Sequence, residues 1–110
     1  KKLQKLKADA IISVCKVDHS PLWSNTLPKN ESMTNFLNKE AIGLRSQDLP
    51  VHYRLNGAIY ICNTQKFIEQ KTLYLEKNIY AFIMDRASSV DIDEKVDFKL
   101  AESIIRDRAK

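Results

Sequence analysis

Apolar residues fall along this chain in short runs whose period changes from one segment to the next. In the opening KKLQKLK, Leu3 and Leu6 share a face and lysines occupy the rest, which predicts the last turns of a helix over residues 1–8. ADAIISVCKV (8–17) is rich in β-branched residues and predicts a buried strand. VHYRLNGAIYICN (51–63) predicts a second strand, TQKFIEQ (64–70) a short helix, and the near-continuous apolar run NIYAFIMD (78–85) another buried strand. From Glu94 to Arg108, Val96, Leu100, Ala101, Ile104 and Ile105 recur at helical spacing with charged residues mostly off that stripe, which predicts an amphipathic helix. Strands and helices alternate, so the fold class is α/β, with a sheet too small to be complete.

Residues 18–50 break this rhythm. They hold all three prolines and show weak periodicity. A long irregular segment in a small domain points to a functional loop or to an arm that packs on another chain. Trp23, Leu27 and Phe36 favour the arm, because burying a large apolar side chain is worth about 1.5–3 kcal/mol.

Composition narrows the function classes. At 110 residues the chain is one domain, near the small end for a full core. With 44% hydrophobic and 29% charged residues it has the balance of a globular protein. No apolar run approaches the ~18 residues of a membrane span. The net charge of +4 is accounted for by Lys1, Lys2, Lys5 and Lys7, which reads as a solvated helix end rather than a phosphate track, so no nucleic-acid partner is expected. Cys15 and Cys62 sit in strand-like runs with no CxxC pair, which predicts reduced thiols and a cytoplasmic setting. His19 and His52 lack metal-ligand spacing. The only glycines are Gly43 and Gly57, so no Gly-rich phosphate loop lies in these residues.

Two segments could carry chemistry. Along strand 53–61 strict alternation puts Arg54, Asn56, Ala58 and Tyr60 on one face. A guanidinium fork there can grip a carboxylate, and an amide and a phenol suit a hydroxyl-rich ligand; a solvated face of an edge strand is the alternative. In Ser89-Val90-Asp91-Ile92-Asp93, two carboxylates at i, i+2 point the same way and can hold a hard divalent cation. The alternative is helix capping, with Asp93 as N-cap and Glu94 and Asp97 complementing the helix dipole.

Taken together, ADAIISVCKVDHSPLWSN (8–25), RSQDLP (45–50), YRLNGAIYIC (53–62) and IMDRASSVDIDEKVDFKLAESII (83–105) resemble, in order, the C-terminal half of the acylneuraminate cytidylyltransferases, the CMP-sialic acid synthetases. The resemblance implies that residues 1–110 are the C-terminal portion of a Rossmann-like nucleotide-diphospho-sugar transferase fold about twice this length, with residues 17–55 a protruding dimerisation arm. It implies CTP and a sialic-type nine-carbon (nonulosonic) acid as substrates, Mg²⁺ as cofactor and a homodimer. By the same motifs Asp91 and Asp93 would be the catalytic metal ligands, and Arg54, Asn56, Tyr60 and Gln47 the sugar contacts. The phosphate loop would lie in the other half, so this chain alone is expected to be inactive. Ser46 stands where many members carry a second arginine, and Trp23 where some carry a basic residue, so legionaminic and pseudaminic acids join neuraminic acid as expected acceptors. A non-catalytic oligomerisation module built on the same fold is the rival expectation.

Overall fold

A computed structural model describes residues 2–109; Lys1, part of the basic opening, lies outside the described residues. The chain divides into two compact units: one comprises the chain up to Cys15 together with everything from Leu55 onward, and the other is Lys16–Arg54.

In the first unit a short helix α1 (Lys2–Lys5) leads into strand β1 (Ala10–Lys16). The turn between them closes with Lys7 in the left-handed region at φ 52, and the Ala8 N–H donates to the Leu3 carbonyl at 2.9 Å. Strand β2 (Tyr53–Cys62), helix α2 (Thr64–Gln70), strand β3 (Ile79–Ile83) and helix α3 (Lys95–Ala109) follow. The predicted order of elements is thus found, with α/β class. Helix α2 starts where the Asn63 side chain accepts from the Lys66 N–H and ends at Lys71, whose φ of 56 turns the chain out of the helix.

The sheet is mixed and runs β2-β1-β3. β3 pairs parallel to β1 in the register Ala10↔Ile79 to Val14↔Ile83. β2 runs antiparallel to β1, since Asn63 N–H donates to Asp9 carbonyl (2.7 Å) while Ile59 faces Ser13 further along. Central β1 carries most of this unit's core: Ala10, Ile11, Ile12 and Cys15 are buried, with Ala8 and Leu75 beside them. The outer elements differ from expectation. β3 was read as a buried strand, yet Tyr80, Phe82 and Ile83 are exposed, because β3 lies at the end of the sheet order. Helix α3 has no buried residue, and Val96 on its apolar stripe is 65% exposed.

β2 is not regular. Gly57 has φ 70, the left-handed region that β strands avoid. The Ala58 N–H turns to the Asn56 Oδ1 at 3.2 Å, and the Ile59 N–H donates to the Ser13 Oγ at 2.8 Å instead of to a backbone carbonyl. This is a bulge at a mid-strand glycine, and it shifts the alternation by a residue. Burial therefore passes from Arg54 and Asn56 to Ile59, not to Ala58. The single continuous face of Arg54, Asn56, Ala58 and Tyr60 expected from strict alternation is broken at that point.

In the second unit three single turns replace regular structure. Pro21–Trp23 is capped by the Ser20 hydroxyl and Lys39–Ala41 by the Asn38 amide. Ser46–Asp48 is closed by the Asp48 carboxylate accepting from the Arg45 N–H. Ala41 and Leu49 are buried, whereas Leu27, Met33 and Ile42 are exposed and Trp23 is 38% exposed.

Removing the Ser13 hydroxyl leaves the Ile59 N–H without its acceptor in a site only 1% exposed. Ser13→Ala is expected to cost about 1–3 kcal/mol of unfolding free energy, read by urea denaturation. A cost under about 0.5 kcal/mol would show that the bulge does not need this bond.

Candidate functional site

The predicted acidic pair lies in the extended stretch between the turn Ala87–Ser89 and α3. Which residue caps α3 decides whether these carboxylates are available. The Glu94 carbonyl accepts from the Phe98 N–H, so Glu94 is the helix's first half-turn residue. Asp97 reaches back, its Oδ2 accepting from the backbone N–H of Glu94 (2.9 Å) and of Asp93 (3.1 Å). This is one arm of a capping box. The capping role expected of Asp93 therefore falls to Asp97, and the boundary lies one residue later. Among the described residues the Asp91 and Asp93 carboxylates make no hydrogen bond or ion pair, and both are exposed.

The stretch carrying them is fixed from behind. Ser89, 3% exposed, donates from Oγ to the Asp85 carbonyl at 2.6 Å and accepts from Asn56 Nδ2 at 3.0 Å. The same Asn56 amide accepts from the Ser13 hydroxyl at 2.5 Å and also donates toward Met84 Sδ. One side chain thus joins β1, β2 and the turn that precedes the acidic pair. Neither Ser13 nor Ser89 was singled out in the sequence. Ser13 is a lone polar residue inside an apolar strand, and that was the signal to follow.

The Asp85 side of this turn is electrostatically set. Its Oδ1 accepts from the Ser88 N–H at 2.8 Å, and Arg108 Nη2, from the last turn of α3, lies 3.8 Å away while donating to Ser88 Oγ at 2.8 Å. Hydrogen bonds from the Ser88 side chain and backbone, and then the Arg108 charge, hold the Asp85 carboxyl below the usual carboxylate value. Helix α3 is consequently tied at both ends by polar contacts: Asp97 at its start and Arg108 at its end.

The remaining expected residues are placed as follows. Tyr60 packs edge-on against Tyr74, ring centroids 6.3 Å apart at 81°, and hydrogen bonding with Tyr60 holds the Tyr74 phenol above its usual value. Arg54 is half-buried two positions before Asn56 on β2. Gln47 sits in the Ser46–Asp48 turn and lines a pocket wholly within the Lys16–Arg54 unit. Asn56 and the acidic stretch are thus brought together through Ser89, while Gln47 and Arg54 belong to the other unit.

A pair of unspent carboxylates on a hydrogen-bonded stretch at a helix entrance is the kind of donor set that a hard, oxygen-ligated cation takes. No family model matches the chain. It is, however, 28% identical over 109 residues to a CMP-N,N'-diacetyllegionaminic acid synthase of Legionella pneumophila, covering 94% of this chain and 44% of that protein. It is 30% identical over 90 residues to an N-acylneuraminate cytidylyltransferase of Streptococcus agalactiae, covering 82% of this chain and 21% of that one. A 54-residue stretch, 49% of this chain and 13% of the relative, is 44% identical to the N-acylneuraminate cytidylyltransferase of Escherichia coli O18:K1:H7. The resemblance read from the motifs is thereby shown: over most of its length the chain is similar, at modest identity, to the CMP-acylneuraminate and CMP-legionaminate synthases. It spans less than half the length of these relatives.

Among the described residues no group of three or more His, Cys, Asp or Glu forms a complete metal cage. Two carboxylates are nonetheless a fitting donor set for Mg²⁺, which keeps waters and takes substrate phosphates rather than an all-protein shell. No helix among the described residues is long and apolar enough to cross a membrane.

Two measurements check this geometry. Asp97→Ala is expected to lower stability by about 1 kcal/mol through loss of the cap, while Asp91→Ala and Asp93→Ala stay within about 0.5 kcal/mol of the parent; equal losses in all three would contradict the assignment. Because the folded Asp85 carboxyl titrates below its unfolded value of about 3.9, its stabilising effect is present above that pH and lost as pH falls through the folded value. NMR titration of Asp85 should give a midpoint under about 3.9, and Arg108→Ala should move it upward.

Proposed function

We propose that the chain is the sugar-binding, metal-binding and dimerising C-terminal half of a Rossmann-like cytidylyltransferase that couples CTP to a sialic-type nine-carbon sugar acid, yielding CMP-sugar and pyrophosphate. The observation that carries this is the pair of free carboxylates, Asp91 and Asp93, left available because Asp97 caps α3. Similarity to synthases whose names specify CMP-legionaminic acid and N-acylneuraminate supports the substrate class.

Asp91 and Asp93 would hold Mg²⁺. When bound, the ion neutralises phosphate charge and lowers the pKa of the attacking hydroxyl. In the reaction the anomeric hydroxyl oxygen of the sugar acid bonds to the α-phosphorus of CTP, the bond to the β-phosphate oxygen breaks, and the hydroxyl proton leaves to solvent. The chain's own residues position the acceptor. Arg54 offers a fork to the sugar carboxylate, and Tyr60 and Gln47 offer hydrogen bonds to its hydroxyl-rich body. Asn56, whose amide is committed to Ser13 and Ser89, acts by holding the acidic stretch in register with β2.

Residues 17–55 serve as the arm of a homodimer. Exposed Trp23, Leu27, Met33 and Ile42 support this, since leaving such side chains in water forgoes their burial energy. Two free cysteines and the use of CTP suit a cytoplasmic enzyme. The second reading, a non-catalytic interaction module, draws on the same exposed surface and on the lack of any Gly-rich loop in this sequence.

Pyrophosphate release separates the two. The chain alone, with CTP, Mg²⁺ and N-acetylneuraminic acid, is expected to release none. Mixed with the N-terminal half of a full-length relative it should release pyrophosphate that EDTA abolishes. In that mixture Asp91→Ala and Asp93→Ala should each lower turnover by two orders of magnitude or more, since metal charge stabilisation is worth several kcal/mol. A mixture that assembles yet stays inactive would favour the interaction module, and near-normal turnover in both variants would remove the metal assignment.

A further inference from the structure

Asn56 precedes Gly57, whereas every other asparagine in the chain precedes a residue with a side chain. The difference matters for the amide itself, because asparagine is a chemically labile residue. Its Cγ can be attacked by the backbone nitrogen of the residue that follows. A glycine there leaves that nitrogen unshielded and free in φ, so the ring closes most readily at Asn-Gly. Gly57 is exposed, and a methyl group built on it would meet no atom within 4 Å, so water reaches this point of β2.

The fold opposes the reaction through the Asn56 side chain. Attack makes Cγ tetrahedral, which swings Oδ1 and Nδ2 out of the plane they share, and Nδ2 then leaves as ammonia. In the closed cluster Nδ2 donates to Ser89 Oγ at 3.0 Å and toward Met84 Sδ at 3.3 Å. Oδ1 accepts from the Ser13 hydroxyl and from the Ala58 N–H. The amide is thereby fixed at both ends. Only the Ala58 contact is local in sequence; the other partners are present only while β1, β2 and the turn Ala87–Ser89 are assembled.

We propose that Asn56-Gly57 is a conditional deamidation site, closed while the Ser13–Asn56–Ser89 cluster is intact and reactive whenever it opens. In the reaction the Gly57 nitrogen bonds to Asn56 Cγ, the Cγ–Nδ2 bond breaks, and the Gly57 proton leaves with Nδ2 as ammonia. One water then opens the succinimide ring at either carbonyl, leaving an aspartate or an isoaspartate at position 56. The product does not restore the cluster. A carboxylate has no hydrogen to give Ser89, and the Ser89 hydroxyl hydrogen is already donated to the Asp85 carbonyl at 2.6 Å. Keeping one of those bonds therefore means losing the other. The isoaspartate also adds a main-chain carbon inside β2, beside the bulge. The modification thus frees the stretch 85–94 from β2 irreversibly, and it depends on no reading of the chain's activity.

The complete 110-residue chain is incubated at mildly alkaline pH and digested, and its Asn56 peptide is weighed by mass spectrometry. The other asparagines serve as internal controls. A synthetic peptide of sequence RLNGAIY, and the same chain in denaturing urea, give the unguarded rate. The native chain is expected to convert at least about tenfold more slowly than either, because the amide must first break its bonds in a local opening. Ser89→Ala, checked for native circular dichroism, should raise the native rate about fivefold or more. Converted chain, separated by its added negative charge, should exchange the backbone amides of 85–94 faster than the parent. Native conversion as fast as the peptide's, no conversion at Asn56 in urea, or an unchanged rate in folded Ser89→Ala overturns the proposal. Equal exchange in converted and parent chains overturns the release of 85–94. If Ser89→Ala does not fold, the native parent against the peptide decides alone.

Discussion

The Asn56 side chain is the point on which the first unit turns. Both ends of its amide are committed: Oδ1 to the Ser13 hydroxyl and the Ala58 N–H, Nδ2 to the Ser89 hydroxyl and toward Met84 sulfur. Two of these partners, Ser13 and Ser89, are almost wholly buried. A polar group in that setting costs about 1–3 kcal/mol if it loses its partner, so the cluster is stable only as a complete set. The bulge at Gly57 follows from it. Turning the Ala58 N–H toward Asn56 and the Ile59 N–H toward Ser13 requires the chain to pass through positive φ, which glycine does without steric cost.

That cluster divides the polar groups near the acidic stretch into those already used by the fold and those left for a ligand. Ser89, Asp85, Asp97 and Arg108 are used: they close the turn Ala87–Ser89, cap the start of α3 and tie its last turn to Ser88. Asp91 and Asp93 are not. A cation site benefits from this division, because its ligands keep their lone pairs while the backbone bearing them is held by neighbours. The exposed ion pairs on α2 and α3, such as Lys66 with Glu69, contribute little by comparison, since solvent screens them.

Much of the first unit was legible in the sequence because period and β-branching report local structure directly. β1, β2, α2, β3 and α3 all appear within a few residues of where the pattern placed them. What was misread depended on tertiary context. The apolar run of β3 looked buried, but its neighbours in the sheet cover only one edge. Strict alternation in β2 failed at Gly57, and an isolated glycine inside a strand pattern is itself the mark of a bulge. The helix boundary moved by one residue, so that Asp97, expected only to complement the dipole, became the cap. Ser13 stands out in the sequence only as a polar residue within an apolar strand, and Ser89, in a short turn, carries no periodic signal at all; the hydrogen bonds that join both to Asn56 depend on tertiary packing.

The lack of burial on α3 bears on how the acidic pair is held. A fifteen-residue helix with no buried residue gains little from packing, and helices in water owe most of their stability to packing of an apolar face. Here the helix is located by polar contacts at its ends: Asp97 on the N–H groups of Asp93 and Glu94, and Arg108 on Ser88 beside Asp85. Both ends therefore return to the stretch 85–94, the same stretch that Asn56 grips through Ser89. Covering the exposed stripe of Val96, Leu100 and Ile105 with apolar surface would add burial energy to a helix whose direction is already set. The position of Asp91 and Asp93 is thus determined by hydrogen bonds within this chain, and the apolar stripe of α3 remains available for packing without altering them.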